Sequence, residues 1–453
     1  MRGPVNYITT EVYVIPIANR YVVYAPLKKV AFLTNAKAVN FLYQLKERQV
    51  KRFTKEEKNF LHFLNDTQLT SVGGDTPIAT FENATFKPTE VTLFLTNRCN
   101  LRCIYCYASA GANSHIDMPF LMAKRGIDFV FNNASELGKK SFSVGYHGGG
   151  EPTMNWKVLV KSLTYAKSLA EKHGMKIYAS VATNGVLSEI KLQWIIKNLH
   201  GVSLSMDGLP KVQDVHRPLT SGGPSSKSVL RTIETFEKSG FPYGIRMTVT
   251  AISVNKVLDS IMYLLEHARP KRIQLEPVYK LGRGQNKSLH VEPDAFIKAF
   301  HEAKRIADKY GVELFFSSAR IDTLTNRFCR SCGEGFSLTP NGNVSACYEV
   351  YDEKAKFSQD FMFGYYDKSR NRFMFDNKKL QKLRNRTVEN IPWCQGCFCK
   401  WHCAGDCANK ARHAMVNGAF NGHPRCEITR SLVLDQILNK INESNGTFWA
   451  GNS

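Results

Sequence analysis

From residue 90 onward the chain alternates short apolar runs with longer amphipathic ones, and no other feature restricts the fold as much. The short runs read EVTLFLT, KSFSVGYHG, KIYASVATNG, GVSLSMDG, YGIRMTVT and RIQLEPV. Between them lie stretches such as WKVLVKSLTYAKSLAEKHG and SVNKVLDSIMYLLEHA, the second with apolar residues at helical spacing from Val257 to Leu265. Six strand-then-helix units predict parallel strands joined by right-handed crossovers. The expected fold class is α/β, a partial (β/α)6 TIM-like barrel. Chemistry on such a sheet or barrel gathers at the C-terminal ends of the strands.

Just past the first strand, TNRCNLRCIYCYA spaces Cys99, Cys103 and Cys106 as CxxxCxxC. A disulfide cannot use three thiols cleanly, and a structural zinc takes four ligands. Three thiolates on a four-iron, four-sulfur cluster leave one iron open, and an open iron is a place for chemistry. On spacing alone, structural thiols or part of a zinc site remain alternatives. The start, MRGPVNYITT, lacks the charged-then-apolar layout of a signal peptide. We therefore expect a cytoplasmic chain whose 12 cysteines serve metal or redox chemistry rather than disulfides. No apolar run reaches the roughly 18 residues of a membrane span, so no membrane partner is expected.

This triplet, placed after the first strand of a repeated βα domain, resembles the radical S-adenosylmethionine superfamily. In that family S-adenosylmethionine occupies the open iron and is reductively cleaved to a 5′-deoxyadenosyl radical, which removes a hydrogen from substrate. GYHGGGEPTMNW, at the end of the second strand, matches the family's GGE motif at Gly149, Gly150 and Glu151. Glycines there permit close approach of a ligand to the backbone. ATNG at 182–185 and SMDG at 205–208 resemble the third and fourth strand ends that contact the adenosyl ligand, which implies roles for Thr183, Asn184, Ser205 and Asp207. By the same resemblance, Arg217 stands near the methionine carboxylate and Tyr105 near the adenine.

The last third holds the remaining cysteines. CQGCFCKWHCAGDC gives CxxCx5CxxxC, a Gly-x4-Cys element runs from Gly342 to Cys347, and a lone cysteine follows in HPRC. These elements resemble the SPASM extension of radical enzymes; zinc knuckles are the structural alternative, since CxxC pairs suit tetrahedral zinc as well. The resemblance implies two auxiliary clusters, one on Cys329, Cys332, Cys347 and Cys407, the other on Cys394, Cys397, Cys403 and Cys426. Cys399 is then surplus, and Cys329 is the ligand that some relatives omit. With the first cluster, the cofactors are three [4Fe-4S] clusters and S-adenosyl-L-methionine.

The expected domains are an N-terminal α+β unit at 1–80, the radical domain at 90–318, a loop-rich auxiliary-cluster domain at 319–430 and a tail at 431–453. Strands in VYVIPIANRYVVYAPLKKVAFLTN precede helical stretches near AKAVNFLYQLKER and KEEKNFLHFLND, which resembles the winged-helix peptide-recognition domain of peptide-modifying radical enzymes. A plain cap over the barrel fits the same pattern. A recognition domain would bind an extended leader by adding a strand to its sheet edge. LTSVGGDTPIATFENATFKP, rich in Gly, Thr and Pro, reads as the linker to the barrel.

The resemblance implies a maturase that installs a thioether or carbon–carbon cross-link in a ribosomally made peptide. Its partners would be that peptide or protein and a flavodoxin- or ferredoxin-type electron donor. The named alternative is an anaerobic sulfatase-maturating enzyme, which makes formylglycine. In those relatives an Asp directly follows the Gly-x4-Cys cysteine; here Tyr348 does, with Glu349 next. A formal charge of +22 suits an acidic partner, but the basic residues are scattered among acids, as in KRFTKEEK, and nucleic acid is not the expected one. A non-enzymatic iron–sulfur or zinc protein on nucleic acid would have no use for GGGEP or SMDG at strand ends.

Overall fold

The computed structural model describes residues 8, 10–47, 52–70, 85–112 and 114–451. Most of the expected linker, residues 71–84, lies outside them.

A small sheet comes first: β1 (Tyr13–Ile17), β2 (Arg20–Ala25) and β3 (Val30–Thr34), paired antiparallel. Side chains alternate across a strand, so the sheet has two apolar faces. Val23, Ala25, Val30 and Phe32 pack with Phe41, Leu42 and Leu64 from helices Ala36–Lys46 and Lys55–Asp66. Ile15, Val22, Tyr24 and Ala31 turn the other way and join the main core. The second helix opens on a complete capping box, Thr54 with Glu57, which satisfies two end donors at once.

The six expected strands form as β4 (Glu90–Phe94), β5 (Ser141–His147), β6 (Lys176–Thr183), β7 (Gly201–Ser205), β8 (Tyr243–Val249) and β9 (Arg272–Pro277), each parallel to the next. Two more parallel strands extend the row: β10 (Glu313–Phe315) beside β9 and β11 (Ser337–Leu338) beside β4. At three and two residues they are too short to leave a periodic signal. From β11 the sheet runs antiparallel through β12 (Asn343–Ser345), β13 (Met362–Asp367) and β14 (Arg372–Phe375). The region expected to be loop-rich thus shares one sheet with the barrel strands.

The parallel strands show why the interior is polar. On β5, Phe142, Val144 and Tyr146 are buried, while Ser143, Gly145 and His147 face the opposite side; on β8, Tyr243, Ile245, Met247 and Val249 are buried and Arg246 is exposed. The apolar sets pack with Leu159, Leu163, Val229, Ile233, Ile261 and Leu264 of the flanking helices in one continuous core. The polar sets are left to line the barrel interior.

The expected tail at 431–453 is not a tail. A helix runs Pro424–Ser444, with Ile428, Leu432, Val433, Ile437 and Ile441 buried, and β15 (Phe448–Ala450) follows it and pairs with β3. Its apolar residues had a surface to cover.

Candidate active site

The cysteine loop is pinned from three sides. Arg102 and Ile104 N–H donate to Pro218 O and His216 O at 2.8 and 2.9 Å, and Arg283 donates from Nε to Cys103 O at 2.8 Å and from its backbone N–H to Cys106 O at 3.0 Å. Leu101 N–H and Asn184 Nδ2 approach the Cys99 Sγ at 3.4 and 3.7 Å. All three thiols are free. Burial, then Glu151, pushes Cys99 up to about 12. Burial pushes Cys103 up to about 11 against the pull of Arg217. The protein alone thus opposes ionisation of Cys99 and Cys103, and the three-thiol donor set fits a cationic iron–sulfur cluster, which supplies the positive charge that neighbouring thiolates need.

The strand-end motifs meet this loop through buried hydrogen bonds. Glu151 is buried; its Oε1 accepts from Thr183 Oγ1 at 2.9 Å and its Oε2 from Asn184 N–H at 2.8 Å. A Cβ on Gly150 would lie 2.1 Å from Arg98 O, and one on Gly149 would lie 2.2 Å from the Tyr351 ring. The close approach these glycines allow is therefore to the chain itself.

Asp207 is the second focus. Arg217 donates from Nε to Oδ2 at 3.0 Å and from Nη2 to Oδ1 at 3.1 Å, Thr248 N–H donates to Oδ1 at 2.9 Å, and Tyr105 Oη and His216 Nδ1 bond to Oδ2. Burial opposes ionisation of Asp207, but Arg217 and His216 outweigh it and hold the carboxyl well below the usual range. Arg217 and Tyr105, expected at the methionine carboxylate and the adenine, are both engaged by Asp207. Ser205, the last residue of β7, pairs with Arg246 of β8.

The later cysteines lie at two places in the fold. Cys394, Cys397, Cys403 and Cys426 line one small pocket with Cys399, Trp393 and Phe420. Cys347 and Cys407 are buried, and each feels the charge of the other or of Cys329; Cys329 feels Cys332, whose N–H donates to Cys329 O at 3.2 Å. Among the described residues no three His, Cys, Asp or Glu side chains converge as single-ion ligands.

Sequence reasoning singled out Tyr348 and Glu349 but missed the polar groups they meet between the two cysteine regions, His147, Asn409 and Lys410. Tyr348 is 40% exposed and stacks on His147 with centroids 5.2 Å apart. Burial, then Arg246, holds His147 down at about 4, so its ring is neutral near pH 7. Glu349 accepts from Lys410 Nζ and Asn409 Nδ2, both at 3.0 Å. Burial opposes its ionisation, but Lys410 keeps it below the ordinary carboxylate range. Arg425 bolts the two regions together, 2.7 Å from Glu276 on β9 and 2.7 Å from Asp406. The available signal was parity: Arg246 and Glu276 sit on the positions opposite the buried aliphatic residues of their strands, Ile245 and Met247 on β8 and Ile273 and Leu275 on β9.

Residues 93–263 match the model of the Radical SAM superfamily. An uncharacterized protein of Methanocaldococcus jannaschii is 33% identical over 174 residues, 38% of this chain and 57% of that one. The chain spans about half the length of the first curated relatives it matches. The cysteine-type anaerobic sulfatase-maturating enzyme of Clostridium perfringens is 24% identical over 346 residues, 73% of this chain and 90% of that one. The structure of Streptococcus suis SuiB bound to precursor peptide SuiA shares the fold, with TM-score 0.54 at 14% identity over 92% of this chain and 99% of that one. The matched segment carries the cysteine triplet, the GGE motif and the strand ends gathered around them, and it is this segment that is similar to the radical SAM superfamily.

Proposed function

We propose that this chain is a peptide maturase that forms a cross-link, thioether or carbon–carbon, within a ribosomally made peptide. Cys99, Cys103 and Cys106 would hold the catalytic cluster, and the two auxiliary sets would hold one cluster each. When bound, the catalytic cluster and S-adenosylmethionine supply a radical able to take hydrogen from an unactivated C–H bond.

The carrying observation is how the two cysteine regions share walls. Tyr351, four residues past Cys347, donates its hydroxyl to Ala108 O, two residues past Cys106, and its ring lies against Gly149. Tyr107, just after Cys106, donates to Gly148 O at 3.1 Å. A substrate side chain held between these loops meets Tyr348, His147, Arg246 and the Glu349–Lys410 pair. The buried pair fixes its own geometry and keeps a carboxylate facing the interior, while Tyr348 and neutral His147 form a flat aromatic wall against which a peptide side chain can be oriented and water kept off.

Sulfatase maturation is the second reading, favoured by the 24% identity over 73% of this chain to an enzyme of that activity. Against it, the carboxylate that directly follows the Gly-x4-Cys cysteine in such enzymes is replaced by Tyr348. The first unit is proposed as the peptide-recognition domain. The deciding experiment is anaerobic incubation with S-adenosylmethionine, a reductant and short peptides encoded beside the gene. The expected products are 5′-deoxyadenosine and a peptide two hydrogens lighter by mass spectrometry. Cofactor cleavage that never alters such a peptide would overturn the reading.

A further inference from the structure

Arg246 stands without a partner in a site whose carboxylates are already matched. β8 turns Tyr243, Ile245, Met247 and Val249 into the core against the helices, and Arg246 leaves from the opposite face, exposed. The strand register sets it directly across from Ser205 on β7 and Gln274 on β9. Its charge is felt at His147 on β5, at Tyr107 just after Cys106 and at Glu349 just after Tyr348. Three separate segments thus place the guanidinium in the space between the two cysteine regions.

The carboxylates around that space have their own partners. Asp207 takes Arg217 through two hydrogen bonds, Glu276 takes Arg425 at 2.7 Å and Glu349 takes Lys410 at 3.0 Å. Buried Glu151 is held by Thr183 Oγ1 and Asn184 N–H. Among the described residues the Arg246 side chain makes no hydrogen bond and no ion pair. A guanidinium stays charged and presents its N–H donors as a planar fork that matches a carboxylate. Neutral His147 and protonated Tyr348 offer no negative charge to it, so the matching acceptor comes from outside the chain. The guanidinium groups felt at Cys103 are those of Arg217 and Arg283, whereas Arg246 acts on the side of His147 and Glu349. That side faces a substrate rather than the first cysteine loop.

We propose that Arg246 selects the substrate: it grips a carboxylate of the peptide, carried by an Asp or Glu beside the residue that loses hydrogen, through two parallel N–H···O bonds. The inference rests on the peptide-modifying reading above and adds to it the chemical class of residue that the site demands. A formal charge of +22 draws acidic peptides toward the chain from a distance. Only a bonded pair at Arg246 fixes which part of the peptide meets the radical.

The probe is a pool of random octapeptides, amidated at the C-terminus so that side chains carry the only carboxylates. The pool is equilibrated with the reconstituted full chain without reductant, and the bound peptides are sequenced by mass spectrometry. The unaltered chain is expected to enrich Asp and Glu over Asn and Gln, and Arg246→Gln to lower that enrichment about tenfold, the scale of one hydrogen-bonded charge pair. Arg246→Lys keeps the charge without the fork and is expected to fall between them. Lys271→Gln removes the same charge from an exposed position and is expected to keep the enrichment. Equal loss in Lys271→Gln would mean that net charge alone attracts the peptides, and the proposal fails; it fails also if Arg246→Gln enriches as the unaltered chain does. Loss of S-adenosylmethionine binding by Arg246→Gln in equilibrium dialysis would assign the guanidinium to the methionine carboxylate instead and overturn the proposal. In a peptide that the enzyme modifies, changing the matching Asp or Glu to its amide is expected to raise KM about tenfold in the unaltered chain and to add nothing in Arg246→Gln. Modification of a peptide that has no carboxylate defeats this inference and leaves the chemistry intact. Enrichment of acidic peptides that are never modified supports the contact and counts against the chemistry.

Discussion

Gly150 lies so close to Arg98 that a Cβ on it would sit 2.1 Å from the Arg98 carbonyl oxygen, and the next amide, Glu151 N–H, donates to that same oxygen at 2.8 Å. Arg98 precedes Cys99, so the glycine sets where the cysteine loop begins. Backbone cannot step aside as a side-chain tip can. Gly150→Ala is expected to cost about 1–3 kcal/mol through overpacking, lowering the thermal midpoint, and to lose the iron held by the first triplet. Gly223→Ala, with its nearest neighbour at 3.6 Å, is the control expected to change neither. Full iron content in Gly150→Ala would show that the approach is not needed.

The bidentate Arg217–Asp207 pair is fully buried, with His216 against the same carboxylate. Removing one partner of such a pair strands the other, at about 3–5 kcal/mol. Asp207→Asn is expected to show this as a large loss in denaturant midpoint. Asp207 titrates below its unfolded value of about 3.9, so its contribution is complete above that pH and is lost as the pH falls through the folded value. The unaltered chain should therefore lose stability more steeply than Asp207→Asn below about pH 4. Parallel acid-unfolding curves would contradict the assignment.

If the cysteines hold three four-iron clusters, anaerobic reconstitution gives about twelve irons per chain. Replacing Cys99, Cys103 and Cys106 with Ala should remove about a third of them and all cofactor cleavage. Cys403→Ala should remove another third, about four irons. Cys399→Ala should keep them all, although Cys399 lines the same pocket; it is fully buried and lies 3.9 Å from Thr429 O. Zinc in place of iron in anaerobically prepared protein would refute the auxiliary clusters.

The strands β4 to β9 and the motifs at their ends were legible because both signals are local: alternation along a strand, and spacing within a loop. What escaped is held by contacts distant in sequence. Asp207 read as a ligand contact, yet its partners Tyr105, Arg217 and Thr248 come from three other segments. β15 finds β3 across more than 400 residues, and three residues carry no period to read. Docking of the first sheet was equally silent. Glu11 accepts from Trp401 Nε1 at 2.7 Å and pairs with Lys400 at 2.6 Å, while Tyr24 bonds to His402, so the sheet grips the short helix between Cys399 and Cys403. Nothing in either stretch alone announces the other.

Tyr348 and Glu349 separate the two enzymatic readings. Tyr348 is stacked on His147, and burial raises its hydroxyl above the ordinary value near 10, so it stays protonated and is a poor base at neutral pH. Glu349 is the nearby carboxylate, ionised and held by Lys410 and Asn409. A carboxylate so anchored is a fixed charge before it is a proton acceptor, since taking a proton would leave Lys410 buried without its partner. We expect no hydrazine-trappable aldehyde when a sulfatase-type Cys or Ser peptide is supplied, and a cross-linked product two hydrogens lighter from the native peptide partner. Glu349→Gln weakens a part-buried charge pair and is expected to lower stability by about 1–3 kcal/mol, so cross-linking is compared per folded enzyme. An aldehyde made by the unaltered chain and reduced about a hundredfold in Glu349→Gln, the scale of a lost general base, would make Glu349 the base and put sulfatase maturation first.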